Sequence, residues 1–190
     1  RPAAEFFNDG AQDAAVNIVQ AALKVNKSAA TQLIHSGAVR CGGKTLSQTH
    51  VQLSPGDEVL RPDPSYPCNR HFVAAADGVP VLVPASADER FQLSADGVEN
   101  AWSARTRGVL LASPSNPTGT SIDPDEMARI VAAVRERGGF TIVDEIYLGL
   151  SFDARFGRSA LTHGDDVISI NSFSKYFSMT GWRLGWLVVP

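Results

Sequence analysis

The alternation of apolar strands with helices along the second part of the chain restricts its fold more than any other feature. Residues 108–112 form an unbroken apolar run, typical of a strand buried on both faces of a parallel sheet. A helix start follows at 123–126, with a capping Asp, a Pro in the first turn and a Glu three residues after the cap, and the helix is expected to end near Arg137. Further strands are predicted over 79–83, 140–143, 167–170 and 184–189, and Pro80 restricts the first of these to an edge of the sheet or to a strand start. This order predicts an α/β fold with a mostly parallel sheet and flanking helices.

Composition excludes several other classes of protein. The chain has 190 residues, 44% of them hydrophobic and 19% charged, with a net charge of -3. This is enough apolar material for a core, and it is unlike a disordered or disulfide-scaffold chain. Cys41 and Cys68 are far apart with no CxxC, so we expect reduced thiols, no metal site and a cytoplasmic protein. No apolar run approaches the roughly 20 residues of a membrane span.

The first 58 residues differ in character from the rest. They are expected to form a small α+β module of two helices and a hairpin about Gly42-Gly43, with a boundary near the turn at 55–57. No acidic residue occurs between Asp13 and Asp57. The same stretch carries four basic residues, Lys24, Lys27, Arg40 and Lys44. Segment 24–59 resembles the S-four-type RNA-binding domain, and an acid-free surface of this kind favours phosphate contacts. A merely solvated face is the alternative.

The chemistry-bearing residues follow the predicted strands. In an open parallel sheet, ligands bind beyond the carboxyl ends of the strands. Asn116 follows the strand at 108–112, Asp144 and Tyr147 follow 140–143, and Ser172 and Lys175 follow 167–170. Arg183 precedes the last strand, so it reaches the same edge only if that strand runs antiparallel. This edge suits pyridoxal phosphate (PLP), because it combines an amine, a carboxylate, a phenol, an amide and a guanidinium.

These residues lie in four motifs that resemble those of the class I/II aminotransferases, which are fold-type I PLP enzymes. Segment 172–185 is similar to the lysine-attachment signature of that family. Segments 115–119, 144–147 and 63–67 are similar to three further motifs, in the same order. Four motifs in order are a specific signal. The resemblance covers about 59–190 and implies part of a PLP-transferase large domain.

The resemblance implies a role for each matching residue. Lys175 would form the Schiff base with PLP, Asp144 would pair with the pyridine nitrogen, and Tyr147 would contact the phenolic oxygen. Asn116 would contact the same oxygen, Ser172 and Arg183 would bind phosphate, and Tyr66 would stack on the ring. The implied reaction transfers an amino group between an amino acid and a 2-oxo acid, in a homodimer if the chain is complete.

Each of these residues also has a plainer interpretation. Asp144 can cap the next turn, segment 116–119 can be an ordinary turn, and Tyr66 can be a packing residue. Arg183 can form a surface ion pair. The family's upstream phosphate loop and its C-terminal substrate-binding arginine have no counterpart here. A fusion, a truncated fragment without activity, or an RNA-binding protein acting through 1–58 are therefore the alternatives to an active aminotransferase.

Overall fold

The computed structural model describes residues 53–190 and the backbone of two short strands, β1 (Arg40–Cys41) and β2 (Lys44–Thr45). β1 and β2 pair antiparallel, with Arg40 opposite Thr45, which confirms the hairpin predicted about Gly42-Gly43. The two predicted N-terminal helices lie outside the described residues. So do Lys24, Lys27 and the side chains of Arg40 and Lys44.

A six-stranded sheet organises the described part of the chain. Its strands are β3 (Glu58–Asp63), β4 (Val79–Pro84), β5 (Thr106–Ala112), β6 (Phe140–Asp144), β7 (Val167–Ser172) and β8 (Gly185–Val188). They lie in the order β4-β3-β5-β6-β7-β8, and neighbouring strands are parallel except for β8, which runs antiparallel to β7. The fold class predicted from the sequence, a mostly parallel sheet with flanking helices, is thereby confirmed.

Helices cover both faces of the sheet. The helices are α1 (Cys68–Ala75), α2 (Ala95–Ala101) and α3 (Pro124–Glu136), and short 3₁₀ turns occupy Leu148–Leu150, Ala154–Phe156, Ala160–His163 and Thr180–Trp182. The larger core lies between one face and the helices α2 and α3, with Leu60, Leu111 and Ile130 fully buried in it. A smaller cluster on the opposite face joins Val59 and Leu110 to α1 through Val73. Within the described residues, no helix has the length and apolar character needed to cross a membrane.

Strand β3 occupies a central position that the sequence pattern does not reveal. It lies between β4 and β5, and it begins at Glu58, the last residue of the predicted N-terminal module. Charged Glu58 and Arg61 interrupt its apolar pattern, although both are buried. Glu58 is stabilised by Arg105 Nε at 2.9 Å and by the Ser103 hydroxyl at 2.5 Å. These partners lie more than forty positions away in the sequence, so local periodicity does not predict the strand.

The start of α3 confirms the helix start predicted at 123–126. Asp123 caps the helix, its Oδ1 accepting from the Asp125 backbone N–H at 3.0 Å, and Pro124 is the first helical residue. The Glu126 carboxylate accepts from the Ala95 backbone N–H at 2.6 Å, because the first turn of α2 offers it an unpaired donor.

Both edges of the sheet match expectations from the sequence. Pro80 restricts its strand to an edge or a strand start, and β4 is an edge strand paired to β3 alone. β8 forms the other edge and is antiparallel, with Ser172 opposite Gly185. The orientation required for Arg183 to reach the carboxyl edge is therefore confirmed.

Candidate active site at the carboxyl edge of the sheet

The register of the sheet brings the ends of β5, β6 and β7 to one level. Asp144 pairs with Ala112 on one side and with Ile170 on the other. The Ser113 N–H donates to the Asp144 carbonyl at 3.0 Å, and the Glu145 N–H donates to the Ile170 carbonyl at 2.8 Å. The loops that carry the predicted site residues therefore leave the sheet side by side.

Asp144 is half-buried at the end of β6 and keeps one carboxylate oxygen free. Oδ1 accepts from the Ile146 backbone N–H at 3.0 Å, and Oδ2 accepts no hydrogen bond from a described residue. Burial raises the pKa of Asp144 above its ordinary value of 3.8, and the charge of Glu145 raises it further. The bond to Ile146 shows that Asp144 does cap the following turn, while Oδ2 remains available to a ligand.

Tyr66 and Tyr147 lie near this carboxylate, and Lys175 lies near Tyr147. The Lys175 ammonium is 5.8 Å from the centroid of the Tyr147 ring. The neighbouring Cys68 side chain is the main cause of a raised pKa at Tyr66, and Tyr147 and Asp144 raise it further by their proximity. Tyr66 is 38% exposed on the described part of the chain. Lys175 is also exposed, at the turn after β7.

Asn116 lies in a cleft of about 480 Å³ that Tyr147 also lines. The loop that carries Asn116 forms a turn, which agrees with the plainer interpretation of segment 116–119. The Gly119 N–H donates to the Ser115 carbonyl at 2.8 Å, and Gly119 has a φ of +69°. The turn presents Asn116 to the cleft, so the structural and the functional interpretations of this loop are compatible.

Ser172 and Arg183, the two residues predicted to bind phosphate, each form a hydrogen bond to a neighbouring backbone group and none to each other. The Ser172 hydroxyl accepts from the Ser174 backbone N–H at 2.9 Å. The Arg183 guanidinium donates to the Thr180 carbonyl at 3.0 Å and forms no ion pair with a described residue. The ion-pair interpretation of Arg183 thus finds no partner between residues 53 and 190.

Two charged residues near the site were not singled out from the sequence. Glu145 is 3% exposed and accepts from Ser159 Oγ at 2.8 Å, the Ala160 N–H at 2.6 Å and Ser169 Oγ at 2.6 Å. It ties the loop after Tyr147 to β7. Glu145 continues the alternation of buried positions 141 and 143 along β6, an alternation that the mostly apolar sequence of 140–143 does not show.

Arg61 is the second such residue, and it is 3% exposed. Its Nε donates to the Ser65 hydroxyl at 3.1 Å, and its Nη2 lies 3.5 Å from the Tyr66 carbonyl. Burial lowers the pKa of this guanidinium. Arg61 therefore holds the turn that presents Tyr66. A single arginine within a strand carries no local signal of this role.

No group of three or more His, Cys, Asp or Glu among the described residues is placed to hold a metal ion.

Comparison with known proteins identifies the family of this chain. The chain matches the family "Aminotransferase class I and II" over residues 9–190, and it belongs to that family. It is 40% identical to the "Probable N-acetyl-LL-diaminopimelate aminotransferase" of Bacillus subtilis over 138 residues, covering 73% of this chain and 35% of the relative. It is 41% identical to the "Valine--pyruvate aminotransferase" of Mycobacterium tuberculosis over 136 residues, covering 71% and 35%.

A solved structure agrees with these relatives. The crystal structure of an aminotransferase from Mycobacterium tuberculosis matches with a TM-score of 0.68 and 40% identity, covering 73% of this chain and 36% of that one. The chain thus spans about a third of the length of the relatives that it matches. The family match begins at residue 9 and crosses the boundary predicted near residue 58. The comparisons confirm the aminotransferase resemblance and give no support to the RNA-binding module or to a fusion, which stay predictions.

Proposed function

We propose that this chain supplies the cofactor-binding region of a PLP-dependent aminotransferase that moves an amino group between an amino acid and a 2-oxo acid. The observation that carries the proposal is the 5.8 Å distance between the Lys175 ammonium and the centroid of the Tyr147 ring, at the edge of the sheet where Asp144 ends β6, in a member of the aminotransferase family. A lysine amine, a phenol and a carboxylate are the groups by which a protein holds and tunes this cofactor.

The residues present fit the group. Asp144 Oδ2 accepts no hydrogen bond from a described residue, and a protonated pyridine nitrogen is a donor of matching charge. Burial alone disfavours an ionised Asp144, whereas a cation beside it favours the ionised form. When bound, PLP supplies an electron-withdrawing ring that stabilises negative charge on the α-carbon of the amino acid.

The remaining side chains bind and orient. Tyr147 and Asn116 line one cleft and would donate hydrogen bonds to the phenolic oxygen of the cofactor. Ser172 and Arg183 would bind its phosphate, and Tyr66 would pack against the ring face. The Lys175 amine, once neutral, is the group that would take the proton from the α-carbon.

The substrates, the dimer and the cellular location of the whole protein belong to the proposal as well. The chain spans about a third of the relatives' length, and those relatives carry different substrate names. We propose amino acid and 2-oxo acid substrates, a homodimer and a cytoplasmic location for the whole protein. Because the relatives' substrate names differ, we assign neither the amino donor nor the acceptor.

Covalent mapping tests the proposal. The chain contains four lysines, Lys24, Lys27, Lys44 and Lys175. After incubation with PLP and reduction with borohydride, peptide mass spectrometry should find the cofactor on Lys175. The Lys175→Ala variant should lose the adduct and the visible absorbance band, whereas Lys44→Ala should keep both. A folded chain with no band, or with label spread evenly over the four lysines, would refute the assignment.

A further inference from the structure

Gln92 is a buried amide that the proposed contacts to PLP do not use. It lies between β4 and α2 and is 4% exposed. Its Nε2 donates to the Ala112 carbonyl at 3.3 Å and to the Thr120 carbonyl at 2.7 Å. Ala112 ends β5, and Thr120 follows the turn that contains Asn116. The Gln92 amide therefore joins the two ends of the Asn116 loop, residues 112–120.

The Thr120 carbonyl accepts from two donors. The Ser115 backbone N–H donates to it at 2.8 Å from within the Asn116 loop, and Gln92 Nε2 donates to it from outside the loop. The internal bond fixes the shape of the turn but not its position relative to the sheet. The bond from the same Gln92 amide to Ala112, the last residue of β5, supplies that connection.

The backbone that precedes Gln92 is itself tied to the Asn116 loop. Arg90 and Phe91 have φ values of +58° and +56°, a left-handed region that residues with a side chain disfavour. Thr120 Oγ1 donates to the Arg90 carbonyl at 2.6 Å. Strained backbone of this kind persists only where the surrounding structure maintains it. The segment that carries Gln92 is therefore held in one conformation against the loop.

The surroundings of the Gln92 side chain identify its two amide groups. Nε2 faces two carbonyl oxygens and lies 3.3 Å from Thr120 Oγ1, and only an N–H group fits between two carbonyl oxygens. Oε1 is buried and accepts no hydrogen bond from a described residue. A buried acceptor without a donor costs stability, and an apolar side chain of similar length would avoid that cost. The donated bonds are therefore what the amide contributes at this position.

We infer that Gln92 is a positioning residue that holds Asn116 where its amide would donate to the phenolic oxygen of PLP. The inference rests on the proposed function, because the role of Asn116 belongs to that proposal. Gln92 does not line the cleft, whose described wall includes Ser115 and Asn116, so it acts through the loop. A donor to the phenolic oxygen lowers the affinity of that oxygen for a proton. Gln92 would thereby influence the protonation of the bound cofactor.

Hydrogen exchange tests the hold on the loop without PLP. Gln92→Met keeps the length of the side chain and removes both donated bonds. In the full chain without cofactor, we expect the backbone amides of Ser115 and Gly119 to exchange about fivefold faster in this variant. These two amides form the hydrogen bonds inside the Asn116 loop, so NMR measurement of their exchange reports on its local opening.

Thr106→Val is the matched control. Thr106 begins β5, at the end of the strand opposite Ala112, and is likewise 4% exposed. Its hydroxyl accepts from the Ser103 backbone N–H at 2.9 Å, so the variant also removes a buried side-chain hydrogen bond. The Ser115 and Gly119 amides should be affected no more than amides elsewhere in β5.

A second variant covers the case in which Gln92→Met does not fold. Gln92→Glu keeps the shape of the side chain but places an acceptor against the carbonyls of Ala112 and Thr120. Exchange of the Ser115 amide should be fast while the new carboxyl is ionised. It should slow when the carboxyl is protonated, because the O–H group can again donate to one carbonyl.

The visible absorbance band of the PLP-loaded chain tests the effect through Asn116. Losing a donor to the phenolic oxygen should raise the pH midpoint of the band, by about 0.5–1 pH unit in Gln92→Met. Asn116→Ala should shift the midpoint in the same direction, and adding Gln92→Met to it should shift the midpoint no further. Thr106→Val should keep the original midpoint, since a loss of stability alone does not move it.

Two results would overturn the inference. One is unchanged exchange of the Ser115 and Gly119 amides in Gln92→Met, and the other is a shift of the band that is equally large with and without the Asn116 side chain. If the unaltered chain shows no band with PLP, the proposed function fails, whereas the exchange measurement still decides whether Gln92 holds the loop. Failure of the inference and failure of the proposed function are therefore separate outcomes.

Discussion

Asp144 and Glu145 are adjacent in sequence, yet the fold uses their carboxylates in opposite ways. Successive side chains of a strand point to opposite faces of a sheet, and this continues from β6 into Glu145. Glu145 is buried and accepts three hydrogen bonds, whereas Asp144 keeps one oxygen free. One carboxylate holds the loop in place, and the other remains available to a ligand.

The free carboxylate should reduce the stability of the chain without cofactor. Because burial raises the pKa of Asp144, its ionised form disfavours the folded state, and that cost appears as pH rises through the folded-state pKa. We expect Asp144→Asn to raise the free energy of unfolding at pH 7 by about 1 kcal/mol, and to abolish PLP binding. Urea titration at pH 7 and at a pH below this pKa measures the effect. A gain in the free energy of unfolding of Asp144→Asn that is larger at the lower pH would contradict this expectation.

Removing Glu145 should have the opposite effect on stability. Glu145→Ala leaves the Ala160 N–H and two serine hydroxyls without their acceptor. We expect a loss of about 3 kcal/mol in the free energy of unfolding. Glu136→Ala, at an exposed position at the end of α3, is the control and should change stability by less than about 0.5 kcal/mol. Equal losses in the two variants would show that Glu145 does not hold the loop.

At the scale of elements, the spacing of β5 and β6 depends on the absence of a side chain. Gly108 pairs with Phe140, and a β-carbon at Gly108 would overlap the Phe140 carbonyl oxygen and ring. These two strands position Asn116 and Asp144, so their register determines the geometry of the carboxyl edge.

Gly108→Ala should therefore destabilise the sheet. We expect a loss of about 1–3 kcal/mol, since the neighbouring atoms include backbone that cannot move aside. Gly181→Ala is a matched control, because a β-carbon at that position meets no atom within 4 Å. Thermal unfolding of both variants measures the difference in stability. An unchanged melting temperature for Gly108→Ala would mean that β5 and β6 can move apart to accommodate the methyl group.

At the scale of the whole molecule, ionised carboxylates link distant segments. Glu58 bonds to Ser103 and Arg105 and Asp166 bonds to Arg135, all far along the chain, whereas Glu89 bonds locally to Ser86 and Ser94. Each set of bonds lowers the pKa of its carboxylate below the ordinary values of 4.5 for Glu and 3.8 for Asp. Their stabilisation is fully present above those values.

Acid should therefore unfold the chain. Stability is lost as pH falls through the lowered pKa values of these three groups, whereas the raised pKa of the Asp144 carboxyl changes stability in the opposite direction. We expect the urea midpoint to fall continuously below about pH 4.5. Glu58→Gln should reduce this dependence on pH, because Glu58 is the buried member of the set. A midpoint that rises on acidification would show that Asp144 dominates.

Local pattern was sufficient for much of the fold. The apolar run at 108–112, the cap at Asp123 and the edge position implied by Pro80 were predicted from the sequence and appear in the structure. So was the antiparallel direction required of the strand after Arg183. These features depend on residues close together in the chain, or on the rule that parallel strands end at one edge.

What the sequence alone determined is the alternation of strands and helices, the order of the four motifs, and the residues that follow each strand. Only the tertiary structure decided that Glu126 joins α2, that β3 is central despite Glu58 and Arg61, and that Glu145 fastens a loop. It also decided that Arg90 enters the cleft of Asn116. The physical reason is distance along the chain: periodicity and capping report on near neighbours, whereas a buried charge is stabilised by donors that folding brings from far away.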